Sequence, residues 1–286
     1  MKSLSKISIV AALLSLTLQS CGKLDAGDSF ISEVNGVRWR FEVIVSKMRY
    51  VKVTPMTSAS DLHGSVTVPG EAECDGYRYT VTQIGANAFR NYTGITSVTL
   101  PATISAIEEC AFQGDTSLTT INTPQPLSTI GNYAFDSCKR LQSFNLKASL
   151  SSLGKGCFRG CSSLQNVEFP TSFSAIPEEA FSGCISFVDI TLPATVMQIG
   201  DNAFNGCSSV TSVQMDRSVQ SIGSGAFSGC TSIEAITCLT ATPPACTAST
   251  FGGVPAEASV TVPSASVELY RAAPGWSQFT NYNGVY

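Results

Sequence analysis

The apolar positions of this chain recur every 23 residues over more than half of its length. A phenylalanine marks each copy, and an Ile or Leu stands five residues before it. The seven phenylalanines are Phe89, Phe112, Phe135, Phe158, Phe181, Phe204 and Phe227. Seven copies without an insertion predict a solenoid in which each repeat forms one turn.

The sixth repeat shows which elements each turn should contain. Val213 and Met215 alternate with polar residues, as side chains on one face of a strand do. The segment at 202–204 predicts a short helical or 3₁₀ turn, which Gly206 ends because glycine tolerates a left-handed backbone. Each of the seven 23-residue turns is therefore expected to combine a short strand with a helical or 3₁₀ turn.

Cysteines stand three residues after the last five phenylalanines. A fixed step places equivalent residues above one another, with parallel Cβ vectors about 4.8 Å apart, which is too far for a disulfide. A straight column is also unsuited to tetrahedral zinc. We interpret these residues as buried apolar side chains that fill a tight corner. The column is Cys138, Cys161, Cys184, Cys207 and Cys230.

We interpret the segments on either side of the repeats as caps, which a solenoid needs to cover its apolar ends. Alternating strand patterns predict a β-rich N-terminal cap over residues 31–83, before the repeats at 84–238. A strand and a short helix that stops before Pro274 predict a mixed C-terminal cap over 239–286. Cys74 and Cys246 lie in these flanks, and their redox state stays open.

The N-terminus has the pattern of an exported protein. Residues 1–20 begin with two lysines and continue with an apolar run that is too short to span a bilayer, as in a signal peptide. The following "LQSC" resembles a bacterial lipobox, which implies that Cys21 is lipidated after cleavage. Residues 21–30 would then be a tether that holds the protein at the outer membrane or cell surface.

Composition argues against several classes of function. Charged residues make up 13% of the chain, the net charge is −4, and no basic run is present, so we expect no nucleic-acid partner. His63 is the single histidine and lies outside the repeats. No carboxylate pair, metal-ligand cluster or phosphate-binding loop is marked by spacing. We therefore expect no enzymatic activity, no cofactor and no metal.

The repeat I-G-x-x-A-F-x-x-C-x-x-L-x-x-V-x-L-P resembles the BspA-like leucine-rich repeat family of bacterial surface proteins. The tail from "ATPPACTASTFGG" onward is similar to the closing module of such proteins in Bacteroides-type bacteria. The resemblance implies a leucine-rich repeat solenoid without catalytic residues. It also implies a role in surface attachment, through host matrix or plasma proteins or through other bacteria.

Two binding hypotheses and a structural one remain open. The first places a host or bacterial surface protein on the outward side chains of the strands, which could also be ordinary solvated residues. Its candidate residues are Thr99, Asn122, Asn145, Glu168, Thr191 and Gln214. The second is a glycan stacked on aromatic side chains of the N-terminal cap, among them Trp39, Tyr50, Tyr77 and Tyr79. The third is a spacer that holds the caps away from the membrane.

Overall fold

The computed structural model describes residues 24–146, 148–165 and 167–285. The predicted signal peptide and Cys21 lie outside these ranges. Within them the chain is a β-solenoid, and most of its sheet pairing is parallel. The strands are β1 (Ser29–Val34), β2 (Val37–Val45), β3 (Tyr50–Pro55), β4 (Gly64–Thr67), β5 (Glu71–Cys74), β6 (Tyr77–Ile84), β7 (Ile95–Thr99), β8 (Ala106–Ile107), β9 (Thr120–Ile121), β10 (Thr129–Ile130), β11 (Ser152–Leu153), β12 (Ala175–Ile176), β13 (Asp189–Thr191), β14 (Gln198–Ile199), β15 (Ser212–Met215), β16 (Ser221–Ile222), β17 (Ala235–Cys238), β18 (Ser259–Pro263) and β19 (Asn281–Val285), and the one α-helix is α1 (Val267–Ala272).

The row of phenylalanines forms the centre of the solenoid. The seven rings are fully buried and stack face to face, with centroids 5.0–5.6 Å apart and planes within 10° of parallel. Phe251 continues the row at 5.7 Å, so the stack has at least eight turns instead of seven. Trp39 meets the first ring edge-on at 6.1 Å, and Trp276 covers the last at 4.9 Å. The predicted solenoid of stacked turns is thus confirmed.

The repeats carry two columns of strands, whereas the sequence predicted one. The predicted column contains β4-β7-β9 and, further along, β13-β15-β17-β18-β19. A second column of mostly two-residue strands runs through the Ile that precedes each turn, as β6-β8-β10-β11 and β12-β14-β16. Residues 141–146 and 167–170 form no strand. The predicted column is therefore split into two sheets.

The predicted helical or 3₁₀ turn is wrong. In the sixth repeat Asn202 (φ 53°) and Gly206 (φ 72°) are left-handed, and equivalent positions in the other repeats also have positive φ. The N–H groups of residues 202, 204 and 206 donate to carbonyls of the next repeat at 2.7–2.9 Å, while those of 203, 205 and 207 donate three residues back. A regular helix would direct all its N–H groups along its own axis and leave none for the neighbouring turn.

The C-terminal flank extends the solenoid. Strands β18 and β19 join β17 in parallel, and β19 is the last strand of its sheet. Helix α1 supplies buried Tyr270, and the segment after it supplies buried Trp276 and Phe279, which cover the final turn. At the other end, β1–β3 form an antiparallel sheet that joins the repeats where β3 pairs with β6.

Candidate binding face

The six candidate residues on the strand face are all exposed, but they occupy different environments. Thr99 ends β7, in the three-stranded sheet β4-β7-β9. Asn145 and Glu168 lie in the segments without strands. Thr191 and Gln214 are neighbours in register on β13 and β15. The six residues therefore do not form one uninterrupted row.

Asn122 has a structural bond that the sequence did not predict. Its Oδ1 accepts a hydrogen bond from the backbone N–H of Leu100, and its Nδ2 donates to the Leu100 carbonyl at 2.9 Å. The side-chain amide therefore takes the place of backbone hydrogen bonds between the two strands, just beyond the last paired residues of β7 and β9. A ligand would have to compete with this bridge for the same side-chain atoms.

The longest regular part of the face belongs to the five-stranded sheet. One row of outward side chains is in register across its strands: Thr191, Gln214, Thr237, Thr261 and Asn283. A second row runs beside it: Asp189, Ser212, Ala235, Ser259 and Asn281. We call these ten residues the C-terminal strand face.

This face is polar and almost uncharged. Its single ionisable side chain is Asp189, and the Ser212 hydroxyl donates to that carboxylate at 2.5 Å. Asn283 donates to the Ser259 hydroxyl at 2.8 Å. Thr261 and Asn283 were not among the sequence candidates, because their segment was assigned to a cap. The sequence predicts the strand of Thr261 in "SVTVP" but not its pairing with β17.

A groove of about 350 Å³ lies beside this face, at the carboxyl ends of its strands. Leu239, Pro263 and Val285 provide its apolar wall, and Arg217 stands at its rim. The Arg217 side chain is exposed and forms no ion pair with any described residue. The groove can therefore receive an apolar group next to an anion.

The five column cysteines are free, buried thiols. Each Sγ donates to the carbonyl of the phenylalanine in the preceding repeat at 3.1–3.2 Å; for example, Cys207 donates to Phe181. Burial raises the pKa of every thiol in the column, in the case of Cys230 to about 12. A thiol that stays protonated is a poor nucleophile, so the column packs the core and bridges neighbouring turns.

The two flanking cysteines differ from each other. Cys74 is disulfide-bonded. Cys246 is half-buried, and its Sγ donates to the Pro274 carbonyl at 3.0 Å. Burial raises the pKa of Cys246 to about 11, so this thiol is also protonated at neutral pH.

Asp115 occupies the column position in the second repeat and is fully buried. Its Oδ1 accepts the backbone N–H of Tyr92 at 2.7 Å, while its Oδ2 has no hydrogen-bond partner among the described residues. Burial raises the pKa of this carboxyl to about 9, and the Tyr92 hydrogen bond opposes that shift only partly. Asp115 is therefore a neutral carboxylic acid at pH 7.

A cluster of charged side chains lies on the turn segments of repeats three to five, and its members pair with one another. Arg159 binds Asp136 through two hydrogen bonds of 3.0–3.1 Å and Glu179 through a third at 3.0 Å. Lys155 pairs with Glu178 at 2.8 Å and with Glu179 at 3.7 Å. Because these groups are paired across turns, they hold neighbouring repeats together and do not form a free charged patch.

The comparison with known families decides what this solenoid is. A family model described as "BspA type Leucine rich repeat region (6 copies)" matches residues 82–186 and 151–268. The chain belongs to this BspA-type family. No curated protein matches the chain.

Two solved structures are similar to this BspA-type protein. A leucine-rich repeat protein of T. pallidum, TpLRR, is 25% identical with a TM-score of 0.58, over 74% of this chain and 91% of that one. A leucine-rich repeat protein from Bacteroides ovatus is 19% identical with a TM-score of 0.52, over 92% of this chain and 76% of that one. The second likeness concerns the fold alone.

The structure bears on the glycan hypothesis for this BspA-type protein. Trp39 and Tyr79 are buried in the core, so neither ring can stack on a sugar. Tyr50 and Tyr77 remain more than one-third exposed, and Arg49 lies 4.8 Å above the Tyr77 ring. The expectation that Trp39 offers a binding surface is wrong because its indole seals the first phenylalanine.

BspA-type repeats and their fold are generally non-catalytic. His63 is exposed in the loop before β4. The described ranges contain no group of three or more His, Cys, Asp or Glu side chains that could hold a metal ion. They also contain no helix that is long and apolar enough to cross a membrane.

Proposed function

We propose that this BspA-type protein is a non-catalytic adhesion module, anchored to the outer membrane or cell surface by lipid, that binds another surface protein. The partner is a host or bacterial protein that lies along the C-terminal strand face. The observation that supports this proposal is the pair of outward rows that stay in register over five strands.

The chemistry of the face suits an extended polypeptide. Neighbouring strands place equivalent side chains about 4.8 Å apart, so hydroxyl and amide groups repeat at a constant spacing. An extended chain offers N–H and C=O groups that such side chains can bond. Since the face has only one ionisable group, the affinity should depend on many modest hydrogen bonds and only weakly on salt.

The groove at Arg217 would add selectivity to this contact. An exposed guanidinium binds carboxylates in a two-pronged geometry. Leu239, Pro263 and Val285 lie beside it and favour an apolar neighbour. We therefore expect the preferred partner segment to combine an apolar residue with an acidic one at the end that lies over this groove.

The binding face is tested by changing two exposed side chains that are neighbours in register on its first two strands, β13 and β15. We expect Thr191→Arg with Gln214→Arg to weaken binding to an array of immobilised plasma and extracellular-matrix proteins by at least about tenfold, or 1.4 kcal/mol. Bulky side chains there would hold an extended partner away from the strands. Biolayer interferometry with any array protein that the unmodified chain binds measures the change.

Thr231→Arg serves as the matched control, since Thr231 is exposed but lies outside the two rows. It should bind as the unmodified chain does. Equal binding by the double variant and the unmodified chain would show that the strand face is not the site. Binding to glycans alone would contradict a protein partner and would direct attention to Tyr50 and Tyr77.

The anchor is proposed from the sequence, because Cys21 lies outside the described residues. We expect Cys21→Ser to move the protein from the membrane fraction to the soluble fraction or to leave an unprocessed precursor, since the acyl chains supply the membrane affinity. Immunoblots of fractionated cells measure this, with Cys246→Ser as a control that should stay on the membrane. Retention of the Cys21→Ser protein in processed form would contradict the anchor.

A second measurement uses the chemistry of the same sulfur. A cysteine whose sulfur carries a lipid thioether cannot also form a disulfide. Lipid on Cys21 therefore excludes a disulfide through the same sulfur. Mass spectrometry of the mature protein should find lipid on the N-terminal peptide and no disulfide between that peptide and Cys74.

A further inference from the structure

Among the described residues, β19 is the last strand of the five-stranded sheet. This strand pairs with β18 through five consecutive residues, from Asn281 opposite Ser259 to Val285 opposite Pro263. No strand of the described residues pairs with its other edge. In a strand the backbone groups of alternate residues point to opposite edges, so part of the N–H and C=O groups of β19 face outward without a strand partner.

Natural proteins usually protect such edges with charge, proline or a bulge, because an open edge recruits other strands. Strand β19, with the sequence "NYNGV", has no charged residue and no proline, and its pairing with β18 has no shift of register. The sheet edge at the other end of the molecule is different. There β1 carries Glu33, which stands opposite Arg38 of β2.

The edge is also held in place for pairing. The Tyr282 hydroxyl donates to the Trp276 carbonyl at 2.8 Å, and Arg271 lies 5.5 Å from the Tyr282 ring, so one side of β19 is tied to the C-terminal segment. Asn281 and Asn283 point to the other side and are exposed. Because β19 is already ordered, pairing with a partner strand would cost little conformational entropy of β19 itself.

We propose that β19 pairs antiparallel with β19 of a second copy of this chain. Around a two-fold axis each strand meets its own sequence, and a neutral strand brings no like charges together there. Pairing joins the two five-stranded sheets and closes both open edges at once. This places two C-terminal strand faces side by side, an arrangement that the protein-binding proposal does not require.

The size of the contact determines its strength. One strand edge with its flanking side chains buries less than the roughly 1,200 Å² of a standard stable interface. We therefore expect a weak dimer in solution, with a Kd on the order of micromolar. Two copies held on one membrane are at a higher effective concentration and would pair more completely.

The first test traps the pair in the envelope of cells that make the full-length protein. Asn281→Cys and Asn283→Cys are introduced separately, cells are oxidised with copper-phenanthroline, and non-reducing gels are blotted. We expect a homodimer band from the variant whose cysteine lies nearer the two-fold axis, because there the residue opposes its own copy. Gln214→Cys, which is exposed on interior strand β15, should give no such band.

The second test measures assembly of the full chain with Cys21→Ser, which removes the lipid. Sedimentation velocity should show a twofold rise in weight-average mass over the micromolar range. Asn283→Lys and Asn281→Lys should stay monomeric because each places two like charges near the axis. Gln214→Lys should still dimerise, and circular-dichroism melts verify that each variant is folded.

Several results would overturn the proposal. One is a chain that stays monomeric at about 100 micromolar and gives no cross-linked homodimer in the envelope. Another is a dimer that survives both lysine variants, which would place the contact on a different surface. A band that joins Asn281→Cys or Asn283→Cys to an unrelated protein alone would assign the edge to a heterologous strand.

Discussion

Replacing Phe158 by Ala should lower the free energy of unfolding by about 3–5 kcal/mol. Phe158 is fully buried, stacks between Phe135 and Phe181 at 5.4 and 5.5 Å, and meets Phe144 at 4.9 Å. The hydrogen bonds between turns keep the backbone spacing constant, so the structure cannot collapse into the space that the ring leaves. Urea titration followed by circular dichroism measures the loss.

Phe169 provides the matched control for this experiment. Its ring is only partly buried and meets Phe181 and Phe204 edge-on at 5.5 and 6.3 Å, outside the central row. We expect Phe169→Ala to cost about 1–2 kcal/mol, since less apolar surface is lost from the interior. Equal losses for Phe158→Ala and Phe169→Ala would contradict the view that the stacked row dominates the stability of the solenoid.

Asp115→Asn should stabilise the protein at neutral and alkaline pH. The pKa of Asp115 is about 9 in the folded state, above the value of about 3.9 that an unfolded chain has. A raised carboxyl pKa means that its contribution to stability is complete below pH 4 and is lost progressively as the pH rises toward 9. Asparagine has the same shape and cannot ionise, so it avoids this loss.

The expected difference between the two proteins has a defined pH dependence. It should be small at pH 4, grow by up to about 1.4 kcal/mol per pH unit above that, and reach about 2–4 kcal/mol at pH 7. Urea titrations at intervals between pH 4 and 9 measure it. Comparing the variant with the unmodified chain cancels the contributions of the surface carboxylates. Parallel stability curves over this range would contradict a buried neutral Asp115.

Placing an aspartate at another position of the cysteine column tests the same effect of burial on a carboxyl group. The Cys207 thiol donates to the Phe181 carbonyl, and we expect a protonated Asp115 to bond the corresponding carbonyl of Phe89 through Oδ2. Cys207→Asp should therefore fold at low pH and lose stability as the pH rises. Groups facing Asp115 from adjacent turns are Tyr92 and Cys138, and burial raises the pKa of both, so they stay neutral over most of the range.

The sequence by itself determined the period and the composition of the interior. A constant 23-residue step requires equivalent side chains to lie in rows along one axis, so the phenylalanine row follows without knowledge of any contact. The burial of the column cysteines follows from the same step. Family membership was equally accessible, because the repeat pattern is specific and continues without insertion.

The tertiary structure decided everything that depends on the neighbouring turn. The left-handed Gly206 follows from the glycine itself, whereas Asn202 is left-handed because alternate N–H groups must reach the next repeat. The sequence predicts Asn122 as a free, exposed strand residue, whereas in the structure its side-chain amide bonds the backbone of Leu100. The sequence predicts Trp39 as a surface aromatic, whereas in the structure its indole packs against Phe89. A repeat period specifies which residues stack. Hydrogen-bond partners, the burial of residues at the two ends and the pairing of the last strand are decided only when the turns assemble into the solenoid.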